Sequence, residues 1–121
     1  MPIALNKSDL AGFHGSENWF RHTLNRRFLY TDGVKYVADQ GGAYWLIDEI
    51  ALANLFNARV KAEEFQVWTL KLSATDSSAE LVCDDGNDVF IFSKHIPLTD
   101  FPADSVTFYF ENETLCLPSE R

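Results

Sequence analysis

The stretch AYWLIDEIALANLFN, residues 43–57, contains eleven apolar residues out of fifteen. Its alanines, leucines and glutamate favour an α-helix, and no proline interrupts the run. A helix with so many apolar residues has to be covered by other elements on most of its circumference. We therefore expect residues 43–57 to form the central helix of the fold, with the rest of the chain packed around it.

Downstream of this helix the apolar residues recur with a period of two, which is typical of β-strands. Five strand-like runs follow one another between Phe65 and Leu117, separated by clusters of turn-forming residues. The run VFIFSKHI, residues 89–96, is apolar on both faces at its start, so we expect a central strand covered on both sides. Helices followed by strands predict a single α+β domain over residues 1–121, with N-terminal helices packed on a C-terminal antiparallel meander of about five strands.

The segment before the central helix permits two interpretations of residues 33–40. Asp32-Gly33 could turn a β-hairpin, or Thr31 or Asp32 could cap a short helix. We favour the helix, because Gly41-Gly42 supplies a natural stop. Further upstream, residues 20–31 alternate apolar and polar side chains, which favours extended structure.

The charge of the chain is distributed unevenly. Residues 1–61 carry seven Lys/Arg and six Asp/Glu, a net of +1, whereas residues 62–121 carry three and twelve, a net of −9. Such an acidic half repels nucleic-acid phosphates, so we expect no direct binding of DNA or RNA. It could meet a basic protein, although an acidic surface first of all favours solubility.

We expect neither a secretion signal nor a membrane-spanning segment in this sequence. The first ten residues have neither the basic region nor the apolar run of a signal peptide. The longest apolar segment is broken by Asp48 and Glu49 and is too short to span a bilayer. We expect a cytoplasmic protein without membrane contact, in which Cys83 and Cys116 are buried, reduced thiols.

The candidate binding residues lie on the central helix. Asp48 and Glu49 point roughly 100° apart on an otherwise apolar helix, so one of them could face a cleft while the other reaches solvent. A carboxylate buried without a donor has a raised pKa, which suits general acid catalysis. Tyr44 and Trp45 stand one turn before Asp48 and could supply a donor. Alternatively, both acids simply mark the solvent-facing stripe of a mostly buried helix.

Motifs of metal sites and enzymes are missing as well. The three histidines, His14, His22 and His95, show neither an HxH nor an HExxH spacing. There is no GxSxG nucleophile motif and no phosphate-binding GxxxxGK[ST] loop. We therefore expect no metal, no cofactor and no catalytic residue, which favours a protein that is not an enzyme.

Five motifs carry a resemblance to a known family: GFHGSENWFRH, FLYTDGVKYVA, AYWLIDEIA, LTDFP and LPSER. With them the chain resembles a family of small bacterial proteins, some carried by phages or plasmids, that is known as a domain of unknown function. The motifs fall at matching relative places over nearly the whole chain. The resemblance implies a prokaryotic or mobile-element source and a cytoplasmic protein, and it supplies neither an activity nor site residues.

Three functions compete on these grounds. The first is a non-enzymatic protein-interaction module that self-associates, as a homodimer or larger homo-oligomer, because the doubly apolar runs VFIF and VTFYF exceed what one helix layer covers. The second is a small hydrolase or ligand-binding protein with a cleft beside Tyr44, Trp45 and Asp48. The third is an acidic mobile-element protein that binds a basic host protein. We favour the first.

Overall fold

A computed structural model describes residues 18–120, which form three α-helices and a seven-stranded mixed sheet. Two short strands come first, then the helices, and then five further strands. In chain order the elements are β1 Trp19–Arg21, β2 Leu29–Thr31, α1 Asp32–Gly41, α2 Tyr44–Phe56, α3 Ala58–Ala62, β3 Gln66–Leu72, β4 Ala79–Asp84, β5 Phe90–Ile96, β6 Ser105–Glu111, β7 Thr114–Cys116 and a turn of 3₁₀-helix at Pro118–Glu120.

The strands lie side by side in the order β1-β2-β7-β6-β3-β4-β5. All neighbouring pairs are antiparallel except β2 and β7, which run parallel with Tyr30 opposite Leu115. Along β3, buried residues (Gln66, Trp68 and Leu70) alternate with half-buried or exposed ones. This alternation means that one face of the sheet carries the core.

The α+β class agrees with the prediction, but the meander of about five antiparallel strands matches the sheet only roughly. There are seven strands, one pairing is parallel, and β1 and β2 precede the helices. Residues 20–31 do contain extended structure, as their alternation predicted. Each of these strands is only three residues long, which is too short for a period of two to identify it as part of the main sheet.

Helix α1 confirms the preferred interpretation of residues 33–40. The hydroxyl of Thr31 accepts a hydrogen bond from the Val34 amide at 3.4 Å and caps the helix. Gly42 ends it in the left-handed conformation, with a φ of 60°. The apolar side of α1, formed by Val34, Val37 and Ala38, is buried in the core.

Helix α2 is the helix expected from residues 43–57. Of its thirteen residues, Tyr44, Asp48 and Phe56 are exposed, and the others are buried or half-buried. Its buried side chains join those of the sheet in one hydrophobic cluster that includes Trp68 and Phe108. A buried side chain of this kind contributes roughly 1.5–3 kcal/mol to the free energy of folding, so α2 is a main source of stability.

Strand β5 is not the central strand that its apolar run predicts. It forms one edge of the sheet, and Phe90 at its start is 67% exposed. The pairing with β4 shifts by one residue between Cys83 and Asp84, so Phe92 and Phe90 oppose them and Ile91 lies in a bulge. The consecutive apolar residues of this run therefore lie at a β-bulge in an edge strand. They do not indicate a strand that is covered on both faces of the sheet.

Candidate functional site

The four candidate residues of α2 do not converge on a common cleft. Tyr44 and Asp48 are exposed, whereas Trp45 and Glu49 are half-buried. Trp45 packs against the hydrophobic core. Each of the other three forms a side-chain hydrogen bond with a different part of the fold. The polar groups of α2 therefore hold neighbouring segments against the helix.

Glu49 attaches α2 to the edge of the sheet. Both of its carboxylate oxygens accept hydrogen bonds from the Lys94 ammonium group of β5, at 2.8 and 3.0 Å. The Glu49 side chain keeps 29% of its surface exposed, so this pair is partly screened by solvent. Lys94 is thus the counter-ion of the Glu49 carboxylate, which needs no cationic ligand.

Asp48 attaches α2 to the segment after β1. His22, which is 5% exposed, lies 2.7 Å from a carboxylate oxygen of Asp48 through its Nε2 atom. Its Nδ1 atom accepts hydrogen bonds from the backbone amides of Leu24 at 3.1 Å and Asn25 at 3.0 Å. This arrangement assigns the ring proton to Nε2, which donates to Asp48. Because both ring nitrogens are occupied, the imidazole has no free lone pair to take up a proton from a substrate.

Tyr44 belongs to a polar group between α1 and α2. Its hydroxyl donates to Asp39, which also accepts a hydrogen bond from Lys35 at 2.8 Å. The bonds from Lys35 and then Tyr44 lower the pKa of the Asp39 carboxyl. Partial burial raises the pKa of Tyr44 and of the neighbouring Tyr30, and the bond to Asp39 raises the pKa of Lys35. All four groups titrate away from neutral pH, which is unfavourable for general acid–base catalysis.

The two thiols lie inside the sheet. Cys83 and Cys116 are both buried and unbridged, as predicted. Burial raises the pKa of the Cys83 thiol to about 12, so at neutral pH it is protonated and a poor nucleophile.

Residues 18–120 contain no group of three or more His, Cys, Asp or Glu side chains that could hold a metal ion. None of the helices in this part of the chain is both long and apolar enough to cross a membrane.

A concave surface lies at a different place from the four candidate residues. It is a cleft of about 680 Å³ between the junction of α2 with α3 and the turn that joins β6 to β7. We call it the junction cleft, and its lining includes Phe28, Leu55, Phe65, Phe110, Glu63 and Glu111.

Sequence reasoning missed the junction cleft because its residues come from four separate segments. Residues 58–64 look like a charged connector between helix and sheet. A usable signal is the direct succession of acids and aromatic residues in Glu63-Glu64-Phe65 and in Phe110-Glu111. Both groups lie in the lining, where the strand ends of β3 and β6 are paired through Gln66 and Phe110.

A family profile described as "Family of unknown function (DUF6876)" matches residues 4–121. No curated protein and no solved structure matches the chain.

Proposed function

The chain belongs to the family of unknown function DUF6876, and we propose that it is a cytoplasmic, non-enzymatic interaction module that self-associates through the edge of β5. The observation that carries the proposal is the exposure of large apolar side chains where this edge begins. Phe90 is 67% exposed and Val89 is 53% exposed. Phe56, at the end of α2, is 79% exposed.

The end of α2 lies close to the start of β5. Arg59, three residues after Phe56, donates a hydrogen bond to the carbonyl oxygen of Phe90 at 3.3 Å. Phe56, Val89 and Phe90 therefore belong to one end of the molecule. Clustered exposed apolar side chains mark interaction surfaces more often than single ones do.

An edge strand presents backbone amides and carbonyls to a further strand. A second copy of β5 offers the same groups, so two copies can pair antiparallel around a two-fold axis. A pairing centred on Ser93 sets Phe92 opposite Lys94 and Phe90 opposite Ile96. No like charges face each other in this register, which supports self-pairing.

The chemistry around α2 favours an interaction module over the competing hydrolase. Asp48, Glu49 and Tyr44 each already have a partner within the fold. The His22–Asp48 pair has both ring nitrogens occupied, and Cys83 is protonated at neutral pH. The imidazole and the thiol are therefore poorly suited to take up a proton or to attack a substrate.

Sedimentation of the purified protein tests self-association. We expect twice the chain mass of 13.8 kDa, with dissociation only below roughly 10 µM protein. Phe90→Arg places a charge in the contact and should weaken association at least tenfold.

The matched control is Leu24→Arg, because Leu24 is 66% exposed and lies in the segment after β1. This variant should associate like the wild type. A wild-type protein that stays monomeric at roughly 100 µM, or equal weakening by both variants, would overturn the proposal.

A further inference from the structure

We infer that the junction cleft binds an arginine side chain of a basic protein segment. This binding goes beyond the proposed self-association and uses residues outside β5. Three properties of the cleft suit such a side chain: its size, its aromatic lining and its charge.

The size of the cleft suits a side chain together with some of the backbone that carries it. Its volume of about 680 Å³ lies within the range of roughly 300–1,000 Å³ that is usual for ligand sites. It opens between two connections, α2–α3 and β6–β7, so an extended segment can enter from the surface.

Three of the four apolar residues that line the cleft are phenylalanines. Phe28 and Phe110 stack with their ring centres 5.0 Å apart and are 1% and 8% exposed, so they belong to the deeper part. Phe65 is half-buried and contributes a further aromatic surface. Because Phe28 and Phe110 are buried against each other, Phe65 is the ring that a guanidinium plane can approach. An aromatic ring attracts such a cation and also covers the methylene groups that lead to it.

The charge of the lining is negative. Two basic side chains and four acidic ones give a net of −2. Arg27 is bound to Glu113 at 2.7 Å on the exposed rim. This contact is a guanidinium–carboxylate pair of the kind that the inference requires. Apart from this pair, the lining carries one basic side chain, Lys61, and three acidic ones, Glu63, Glu64 and Glu111.

Arginine fits this combination better than lysine or a neutral residue does. Its guanidinium is flat, weakly hydrated and always charged, so it stacks on aromatic rings and donates to carboxylates at the same time. The acidic half of the chain attracts a basic segment over a distance and raises its rate of encounter.

Titration with a short peptide tests the inference, followed by amide chemical shifts in NMR spectra. The probe is acetyl-Gly-Arg-Gly-Arg-Gly-amide, and the comparison peptide carries citrulline, which has the same shape without the charge. We expect the arginine peptide to shift the amides of Phe65, Glu111 and Asn112. The citrulline peptide should bind at least fivefold more weakly.

A double variant, Glu63→Gln with Glu64→Gln, should weaken binding of the arginine peptide at least fivefold. Its matched control is Asp100→Asn with Asp104→Asn, which changes the net charge by the same amount. The Asp104 carbonyl accepts from the Leu72 amide, at the opposite end of β3 from the cleft. The control should bind like the wild type.

Three outcomes would overturn the inference: equal binding of both peptides, full binding by the glutamine variant, or equal loss in the control variant. The last of these would mean that the peptide responds only to overall charge. The Phe90→Arg variant gives the same titration in a chain with weakened self-association, so a failure of one proposal is distinguishable from a failure of the other.

Discussion

At the scale of single residues, Glu120 joins the end of the fold to the start of α1. One carboxylate oxygen accepts from the Thr31 hydroxyl at 2.6 Å and from the Leu117 amide at 2.8 Å. The other oxygen accepts from the Gly33 amide at 3.1 Å. The first amides of a helix have no partner within the helix, and a carboxylate satisfies them and complements the helix dipole. Within the motif LPSER, Glu120 thus has a structural role at the start of α1.

Gly33 is the residue that makes room for this carboxylate. A Cβ atom at position 33 would lie 2.6 Å from Glu120 Oε1 and 2.7 Å from a methyl carbon of Leu117. Both distances are shorter than van der Waals contact allows. Position 33 therefore requires glycine because Glu120 and Leu117 approach the backbone so closely. A positive φ is not the reason.

We predict that Gly33→Ala lowers the free energy of unfolding by about 1–3 kcal/mol, because the added methyl group displaces Glu120 and Leu117. Urea unfolding followed by circular dichroism measures the loss. In a Glu120→Ala background the same substitution should cost less, since one of the two clashing groups is gone. An identical cost in both backgrounds would contradict this explanation.

At the scale of elements, Gln66 connects both helices α2 and α3 to the sheet. It is fully buried on the core-facing side of β3. Its amide nitrogen donates to Asn54 Oδ1 at 2.7 Å and to the backbone oxygens of Val60 at 2.8 Å and Glu63 at 3.0 Å. Its amide oxygen accepts from Trp68 Nε1 at 2.8 Å. One side chain therefore satisfies polar groups of three elements.

Gln66→Leu should lower the free energy of unfolding by about 2–4 kcal/mol. The substitution leaves several buried donors and acceptors without a partner, and each such group costs about 1–3 kcal/mol. Chemical denaturation measures the effect. The other glutamine, Gln40 in α1, is half-buried, and Gln40→Leu should change stability by no more than about 0.5 kcal/mol. Equal effects of the two variants would rule out the network as the cause.

The elements differ in how well their sequence predicts them. Helix α1 is predictable because its cap and its terminal Gly42 are local signals. The place of β5 at an edge is not predictable from a local pattern, since strand order depends on contacts between distant segments. Gln66 falls on the buried side of an alternating strand, and such a polar residue among apolar ones is the signal that predicts a buried network.

The candidate residues show the same limit. Of the two acids on this apolar helix, Asp48 lies in the solvent-facing stripe and Glu49 is half-buried. Their partners, His22 and Lys94, come from segments 26 and 45 residues away in the chain. Periodicity within one helix carries no information about such partners. The junction cleft could not be predicted from the sequence for the same reason, because four separate segments come together in the fold to form it.

At the scale of the whole molecule, stability depends on pH through the group between α1 and α2. The pKa of Asp39 is lower in the folded protein than its ordinary value, because Lys35 and Tyr44 donate hydrogen bonds to the charged carboxylate. Its contribution is therefore fully present above the ordinary carboxyl pKa of about 3.9 and is lost as the pH falls through the lowered value.

Asp39→Asn should accordingly be less stable than the wild type at pH 5–7, and the difference should shrink below about pH 4. Melting temperatures measured from pH 3 to pH 7 check this expectation. Tyr44→Phe removes one of the two donors and should show a smaller difference with the same direction. A difference between Asp39→Asn and the wild type that stays constant down to pH 3 would contradict the assignment.

The place of β7 in the sheet has a consequence for the synthesis of the protein. β7 leaves the ribosome after the other six strands of this sheet, yet it lies between β2 and β6. Until Thr114–Cys116 have emerged, the nascent chain holds both neighbours with an unpaired edge on the side that β7 later fills. A ribosome that stalls shortly before this strand thus leaves two open edges inside one chain. Such unpaired strand edges can form β-strand pairs with other nascent chains on the same messenger RNA.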